Sequence, residues 1–286
     1  MNKQTVALWG CGRIGRVTGK LLLENGYILC WLYDRDPSKS STLASDLGAG
    51  EVGDAGLEPD AHPQVDVIID ATGDPSLLPY WEAVLHLGKS SNVFLTRREP
   101  KAQEHVMMGV ASVEPSISQG TTVAMGSCTG NALVPFISHL SREYLPSTFS
   151  CRVLHPLKQD DDYSLRSIET ALSRSLADWE PDLAKKAMTQ SMELPVDRGM
   201  ALDLSICFNQ PVSQKSMESW LKSLPSRCPH IQFSHTPPTS DSIVGNKASA
   251  VIDPGWNMVG NQLRLLLWQD NELGVSARIL DLLETI

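Results

Sequence analysis

Residues 5–15 read Thr-Val-Ala-Leu-Trp-Gly-Cys-Gly-Arg-Ile-Gly, a short apolar run that ends in three closely spaced glycines. After them Ile14, Val17, Leu21 and Leu22 repeat at the helix period, Gly26 closes the stretch, and residues 28–33 are again strand-like. This is a β-α-β unit, and its glycines have separate jobs. Gly10 permits the tight strand-to-helix turn, Gly12 lets the backbone come close to a ligand, and Gly15 lets the helix pack against the sheet. The helix start, with Arg13 and Ile14, supplies backbone N–H groups for a pyrophosphate. Asp34 ends the second strand about 20 residues beyond Gly15, where a carboxylate suits the hydroxyls of an adenosine ribose. The expected ligand is therefore a dinucleotide. Asp34 favours NAD because it repels a ribose phosphate, and Arg35 and Lys39 offset that repulsion in part, so NADP stays open.

Farther along, residues 65–69, 92–95 and 121–124 are apolar and short, and residues 76–87 and 102–108 between them have helical spacing. Apolar strands alternating with helices imply a parallel sheet covered on both faces. Asp70-Ala71-Thr72-Gly73 falls at the carboxyl edge of that sheet, where such folds bind ligands, which makes Thr72 and Gly73 candidate cofactor contacts. On local grounds an ordinary strand-ending turn explains them equally well. Past residue 128, residues 150–155, 201–208 and 262–268 alternate like strands of a second sheet, with helices expected over 165–177 and 216–224, and loop with a short strand over 225–239. The expected class is α/β: an N-terminal Rossmann-type, doubly wound parallel sheet (residues 1–127 with 272–286), and an α+β catalytic domain with a mainly antiparallel sheet (128–271).

Composition narrows the partners. A formal net charge of −9 disfavours nucleic acid and anionic membrane surfaces and leaves a small molecule as the expected partner. No apolar run approaches the roughly 18 residues of a membrane span, and residues 5–9 are too few for a secretory core, so the expected location is cytoplasmic. The six cysteines show neither C-x-x-C pairing nor zinc-ligand spacing, which reads as free thiols and no metal site.

Ser127-Cys128-Thr129-Gly130-Asn131 opens a second helix-like stretch through Ala132, Leu133, Phe136 and Ile137. A helix N-terminus and a nearby imidazole both favour a thiolate, and His155 at the end of a strand is the candidate imidazole. A single cysteine is more often inert packing, and a single histidine more often structural. Their combination with a dinucleotide turn points to oxidation or reduction of a carbonyl carbon through a covalent thioester.

With these residues in view, the chain resembles the phosphorylating glyceraldehyde-3-phosphate dehydrogenase family, including its erythrose-4-phosphate dehydrogenase branch. The matching segments are Gly10–Arg16, Ala71–Gly73, Met108–Val110, Ser127–Pro135, His155, Asp203–Ser205 and Trp268–Leu282. The resemblance implies Cys128 as nucleophile, His155 as its base, the backbone N–H of Cys128 at the developing oxyanion, and Asn271 on the nicotinamide carboxamide. It also implies a homo-oligomer, a dimer or tetramer. The departures fall where the family holds its two phosphates: Lys158, the acidic run Asp160–Asp162, and Glu193 at the place of a phosphate-binding arginine. Thr129, Lys158 and Glu193 are the candidate substrate contacts. The expectation is an NAD(P)-dependent enzyme acting on an aldehyde or an activated acyl substrate other than glyceraldehyde 3-phosphate. Two alternatives stay open, a dinucleotide-binding regulatory relative without turnover and the standard phosphorylating enzyme.

Overall fold

The structure, a computed structural model, describes residues 4–110, 116–156, 166–168 and 171–286. The chain forms two compact units. The first gathers the chain up to Met107, the stretch ending at Gly126, and Val275–Ile286; the second gathers the stretch from Met108 and Ser127–Gly274.

In the first unit the elements run β1 (Thr5–Trp9), α1 (Arg13–Glu24), β2 (Ile28–Tyr33), α2 (Pro37–Leu47), β3 (Glu51–Val52), β4 (Val67–Asp70), α3 (Leu78–His86), β5 (Asn92–Leu95), β6 (Glu104–His105) and β7 (Thr121–Ala124). All seven strands are parallel, in the order β3-β2-β1-β4-β5-β7-β6. The winding reverses between β1 and β4, which opens a crevice at their carboxyl ends. Under that edge lies an aromatic cluster: Trp9 stacks on Tyr33 at 4.5 Å and meets Trp81 edge-on at 4.9 Å. Helix α2 was not anticipated, although its signals stand in the sequence. Asp36 caps it by accepting from the Ser38 N–H, Pro37 occupies the first turn, and Gly48 ends it in the left-handed conformation.

The second unit runs α4 (Cys128–Glu143), β8 (Pro146–Pro156), β9 (Arg166–Ile168), α5 (Leu172–Trp179), α6 (Pro181–Ala184), β10 (Ala187–Leu194), β11 (Met200–Phe208), α7 (Gln214–Arg227), β12 (Ile231–Phe233), β13 (Ala250–Ile252), β14 (Asn257–Val259) and β15 (Gln262–Gln269). Its sheet is mixed, in the order β12-β13-β15-β11-β8-β10-β9 with β14 paired to β15; β8 and β10 are parallel, as are β12 and β13, and the other pairings are antiparallel. One face is covered, with α4 against β13 and β15, and α5 against both α4 and β10. Phe149, Cys151 and Val153 of β8 are buried beneath that cover. Ser150 and Arg152 alternate to the other face and line an open cavity of about 600 Å3 with Asp203 and Arg264. Helix α8 (Asn271–Leu283) closes the chain, and within the first unit its Ser276 hydroxyl meets that of Thr18 at 2.9 Å.

Three local expectations are corrected. Residues 102–108 are not a helix. The Gln103 backbone N–H donates to Thr122 Oγ1, the Thr122 backbone N–H donates to Gln103 Oε1, and residues 104–105 pair with β7, so long-range edge pairing overrides helical propensity. The helix expected over 165–177 begins only at Leu172, because Arg166–Ile168 join the sheet edge as β9 against β10. Finally, α7 runs on to Arg227 through Pro225, with Leu221 and Leu224 buried, so the irregular stretch starts later than expected.

One buried group makes this fold sensitive to acid. His62 is fully buried beside Trp9 and Tyr33, its Nδ1 lies 2.7 Å from the Pro63 carbonyl oxygen, and its Nε2 has no partner among the described residues. The carbonyl can only accept, so Nδ1 donates, and adding a proton at Nε2 creates a buried donor. Burial accordingly pushes the His62 pKa below 6.5; the Pro63 bond opposes this and Lys89 adds to it. Below the unfolded value the unfolded chain binds the extra proton, so the stability His62 contributes is complete above about pH 6.5 and is lost as pH falls toward its folded value. Urea unfolding at pH 7.5 and pH 5 is expected to show wild type losing more stability than His62→Phe. Equal losses contradict this role.

Candidate functional site

In the first unit the candidate residues lie at the crevice between β1 and β4. Gly10 has φ 92°, and a Cβ there would come within 2.6 Å of the Ala71 carbonyl carbon and the Thr72 nitrogen, so the two strand-end turns touch backbone to backbone. A Cβ at Gly15 would fall on the Gly10 carbonyl oxygen, whereas at Gly12 it would meet nothing within 4 Å. Gly12 therefore faces open space at the N-terminus of α1, which no side chain caps. That arrangement suits a phosphate, which needs backbone N–H groups and close approach. Asp34 holds the turn from the β2 side: its Oδ2 accepts from the Cys11 N–H at 2.7 Å and its Oδ1 from the Asp36 N–H at 2.9 Å. Each oxygen keeps further acceptor capacity for a ribose hydroxyl.

The facing turn hangs from Asp70, whose side chain is fully buried. Its Oδ1 accepts from the Thr72 backbone N–H at 2.9 Å and from the Thr72 hydroxyl at 2.6 Å. Its Oδ2 accepts from Trp81 Nε1 at 2.8 Å and from Arg97 Nη1 at 2.6 Å. Arg97 also lies 3.6 Å from Glu99, itself only 4% exposed. Thr72 is thus held by two bonds and Gly73, at φ 72°, follows it. Sequence reasoning noted Asp70 only as part of this turn and missed Trp81, Arg97 and Glu99, which no local motif marks.

In the second unit the candidate residues begin on α4. Cys128 is its first residue and is partly exposed. Ser127 caps the helix, its Oγ accepting from the Gly130 N–H at 3.0 Å and lying 2.8 Å from the Ser175 hydroxyl of α5. Asn131 donates through Nδ2 to the Ser127 carbonyl at 3.0 Å. Gly130 lets α5 come this close, since a Cβ there would sit 2.9 Å from Ser175 Cβ. Thr129 is buried, with its hydroxyl 3.2 Å from Ser127 Oγ. His155 lies near the end of β8 and by alternation shares the covered face with Cys151 and Val153. Glu193 of β10 is opposite it in the parallel register and is 6% exposed. Cys128 thus heads a helix of the cover, and His155 lies on the face of the sheet that the cover lies against.

The other cysteines provide a contrast. Burial, with Asp34 adding to it, pushes the Cys11 thiol up to about 12. Burial first and then Asp203 push the Cys151 thiol up strongly as well. Neither is suited to nucleophilic work. Asn271 opens α8, whose first turn is held by Asp270 accepting from the Glu272 and Leu273 N–H groups at 3.2 and 3.0 Å. Asn271 Oδ1 is buried without a partner among the described residues, an acceptor suited to an external amide donor. Lys158 and Asp160–Asp162 lie outside the described residues.

No protein-family profile matches the chain. The chain is similar to "Glyceraldehyde-3-phosphate dehydrogenase 1" of Bacillus subtilis (strain 168), at 25% identity over 287 residues, covering 93% of this chain and 80% of that protein. It is also similar to "Glyceraldehyde-3-phosphate dehydrogenase 2" of Staphylococcus aureus (strain Mu50 / ATCC 700699), at 24% identity over 329 residues, covering 98% of this chain and 95% of that protein.

The glycine turn yields a paired test. Gly15→Ala is expected to destabilise the protein by about 2 kcal/mol through the clash with Gly10 and to abolish NAD(H) binding. Gly12→Ala is expected to melt like wild type while weakening NAD(H) binding by roughly tenfold or more. Thermal unfolding and a fluorescence titration check both; unchanged NAD(H) affinity in Gly12→Ala contradicts the placement of the phosphates.

Proposed function

We propose that the protein is an NAD(P)-dependent oxidoreductase that oxidises an aldehyde, or reduces the corresponding activated acyl group, through a covalent bond to Cys128. The observation that carries this reading lies in the second unit: a partly exposed thiol at the head of a side-chain-capped helix, and an imidazole near the end of β8 on the covered face of the sheet. The glycine-lined helix start in the first unit and the names of the similar proteins support it.

In this reading Gly10, Gly12, Arg13, Ile14 and Gly15 hold the pyrophosphate, and Asp34 takes the adenosine ribose. Thr72 and Gly73 line the crevice, and Asn271 Oδ1 accepts from the carboxamide. The bound nicotinamide supplies a two-electron acceptor. His155 takes the thiol proton, the Cys128 thiolate attacks the carbonyl carbon to form a C–S bond, and the carbonyl π pair moves to oxygen, which gains that proton back from the imidazolium. The α4 N-terminus and the Cys128 backbone N–H stabilise charge on that oxygen. His155 then takes the hydroxyl proton as the carbon is oxidised, leaving a thioester on Cys128. Attack by water or another acceptor breaks the C–S bond and returns the thiol. Thr129 braces the cap that aims Cys128, and Lys158 meets an acidic group of the substrate.

Glu193 sets the substrate class. A carboxylate beside His155 repels a phosphate ester at that point, so the reading favours an aldehyde that presents hydroxyl or amine groups there over glyceraldehyde 3-phosphate.

A panel of aldehydes assayed for NADH formation tests the mechanism. Wild type is expected to oxidise at least one, Cys128→Ala to fall to background, and His155→Asn to lose about two to four orders of magnitude in kcat. Turnover by Cys128→Ala at the wild-type rate excludes the covalent route.

A further inference from the structure

The parallel register of β8 and β10 places Glu193 directly opposite His155. Register partners on adjacent strands point to the same face of a sheet, and the strands lie about 4.8 Å apart. On β10, Ser191 and Glu193 are buried at 0% and 6% exposure, while Met188 and Gln190 alternate to the open side. Glu193 and His155 are therefore neighbours beneath the helical cover. A carboxyl buried to this degree requires donors or an opposite charge.

Among the described residues, β8 brings Cys151 and His155 to that face. On the far side of β10 the register sets Arg166 of β9 opposite Glu193. Arg152 and Asp203 are register partners that line the cavity on the opposite face. Helix α5 exposes Arg174 and Asp178, and β11 packs Leu202 and Leu204 into the core.

We propose that Glu193 is a positioning residue for His155: its carboxylate accepts a ring N–H of the imidazole, fixes the tautomer and orientation, and stabilises the imidazolium formed when His155 takes a proton. The thiol, imidazole and carboxylate then form an ordered set in which each group holds the one before it. Glu193 touches no reacting atom. Its part in turnover rests on the function proposed above, but its hold on His155 does not.

The test is an NMR titration of isotope-labelled histidines in Cys128→Ala, which removes the sulfur's own charge, with His155 assigned by its loss in His155→Gln. In this parent His155 is expected to titrate above the ordinary value of about 6.5, and adding Glu193→Gln is expected to lower it by about one unit. Glu193→Met serves in the same way if the Gln variant does not fold. A parent value at or below the ordinary one, or an unchanged titration in a folded Glu193 variant, overturns the proposal. If an aldehyde assay showed Cys128 to be dispensable while the titration shifted as expected, the catalytic reading would fall and the pairing would stand.

Discussion

The buried carboxylate of Asp70 is the tie on which the ligand-facing edge of the first sheet depends. Donors from three elements converge on it: the Thr72 turn, Trp81 of α3, and Arg97 just beyond β5. An isolated carboxylate in such a place would be expensive, and four donors offset that cost. The result is a rigid Ala71–Thr72 backbone against which Gly10 lies in van der Waals contact. The glycine turn is thus shaped from two sides, by Asp34 through the Cys11 N–H and by Asp70 through Thr72. Removing either carboxylate would loosen the crevice without touching a glycine.

The second unit works by a different device. Its sheet has one covered and one open face, and strand alternation sends each residue of β8 to one or the other. Cys151 and His155 share the covered side with a four-residue spacing, yet Cys151 is buried while the imidazole near the strand's end is partly exposed. Cys128 gains its partial exposure from being the first residue of α4, while Ser127 and Ser175 lock the helix start in place. Burial silences Cys11 and Cys151, whereas Cys128 is partly exposed at the head of α4.

Much of this was legible in the sequence, because local chemistry dictates it. Three closely spaced glycines where an apolar strand passes into a helix mark a tight turn with a closely packed helix start, and Ser127 before a helical stretch is a cap whose consequence is a thiol at the helix head. What escaped is non-local. Trp81 and Arg97 reach Asp70 across 11 and 27 residues of chain, and no periodicity signals either. Residues 102–108 and 166–168 have helical spacing but take sheet edges, since backbone groups beside an unpaired strand gain more from pairing. Glu193 stood out in the sequence as a carboxylate at the place of a phosphate-binding arginine, whereas its register opposite His155 is visible only in the sheet.

The proposed chemistry requires that a bound nicotinamide bring its reactive carbon to the carbon held on the sulfur of Cys128, within reach of the imidazole of His155. A crystal structure with NAD bound measures this directly. The account predicts that nicotinamide C4 comes close enough for the carbon bonded to Cys128 Sγ to lie about 3.5 Å from it, with His155 within reach of the oxygen on that carbon. A nicotinamide ring turned away from Cys128, or a His155 side chain aimed elsewhere, contradicts it.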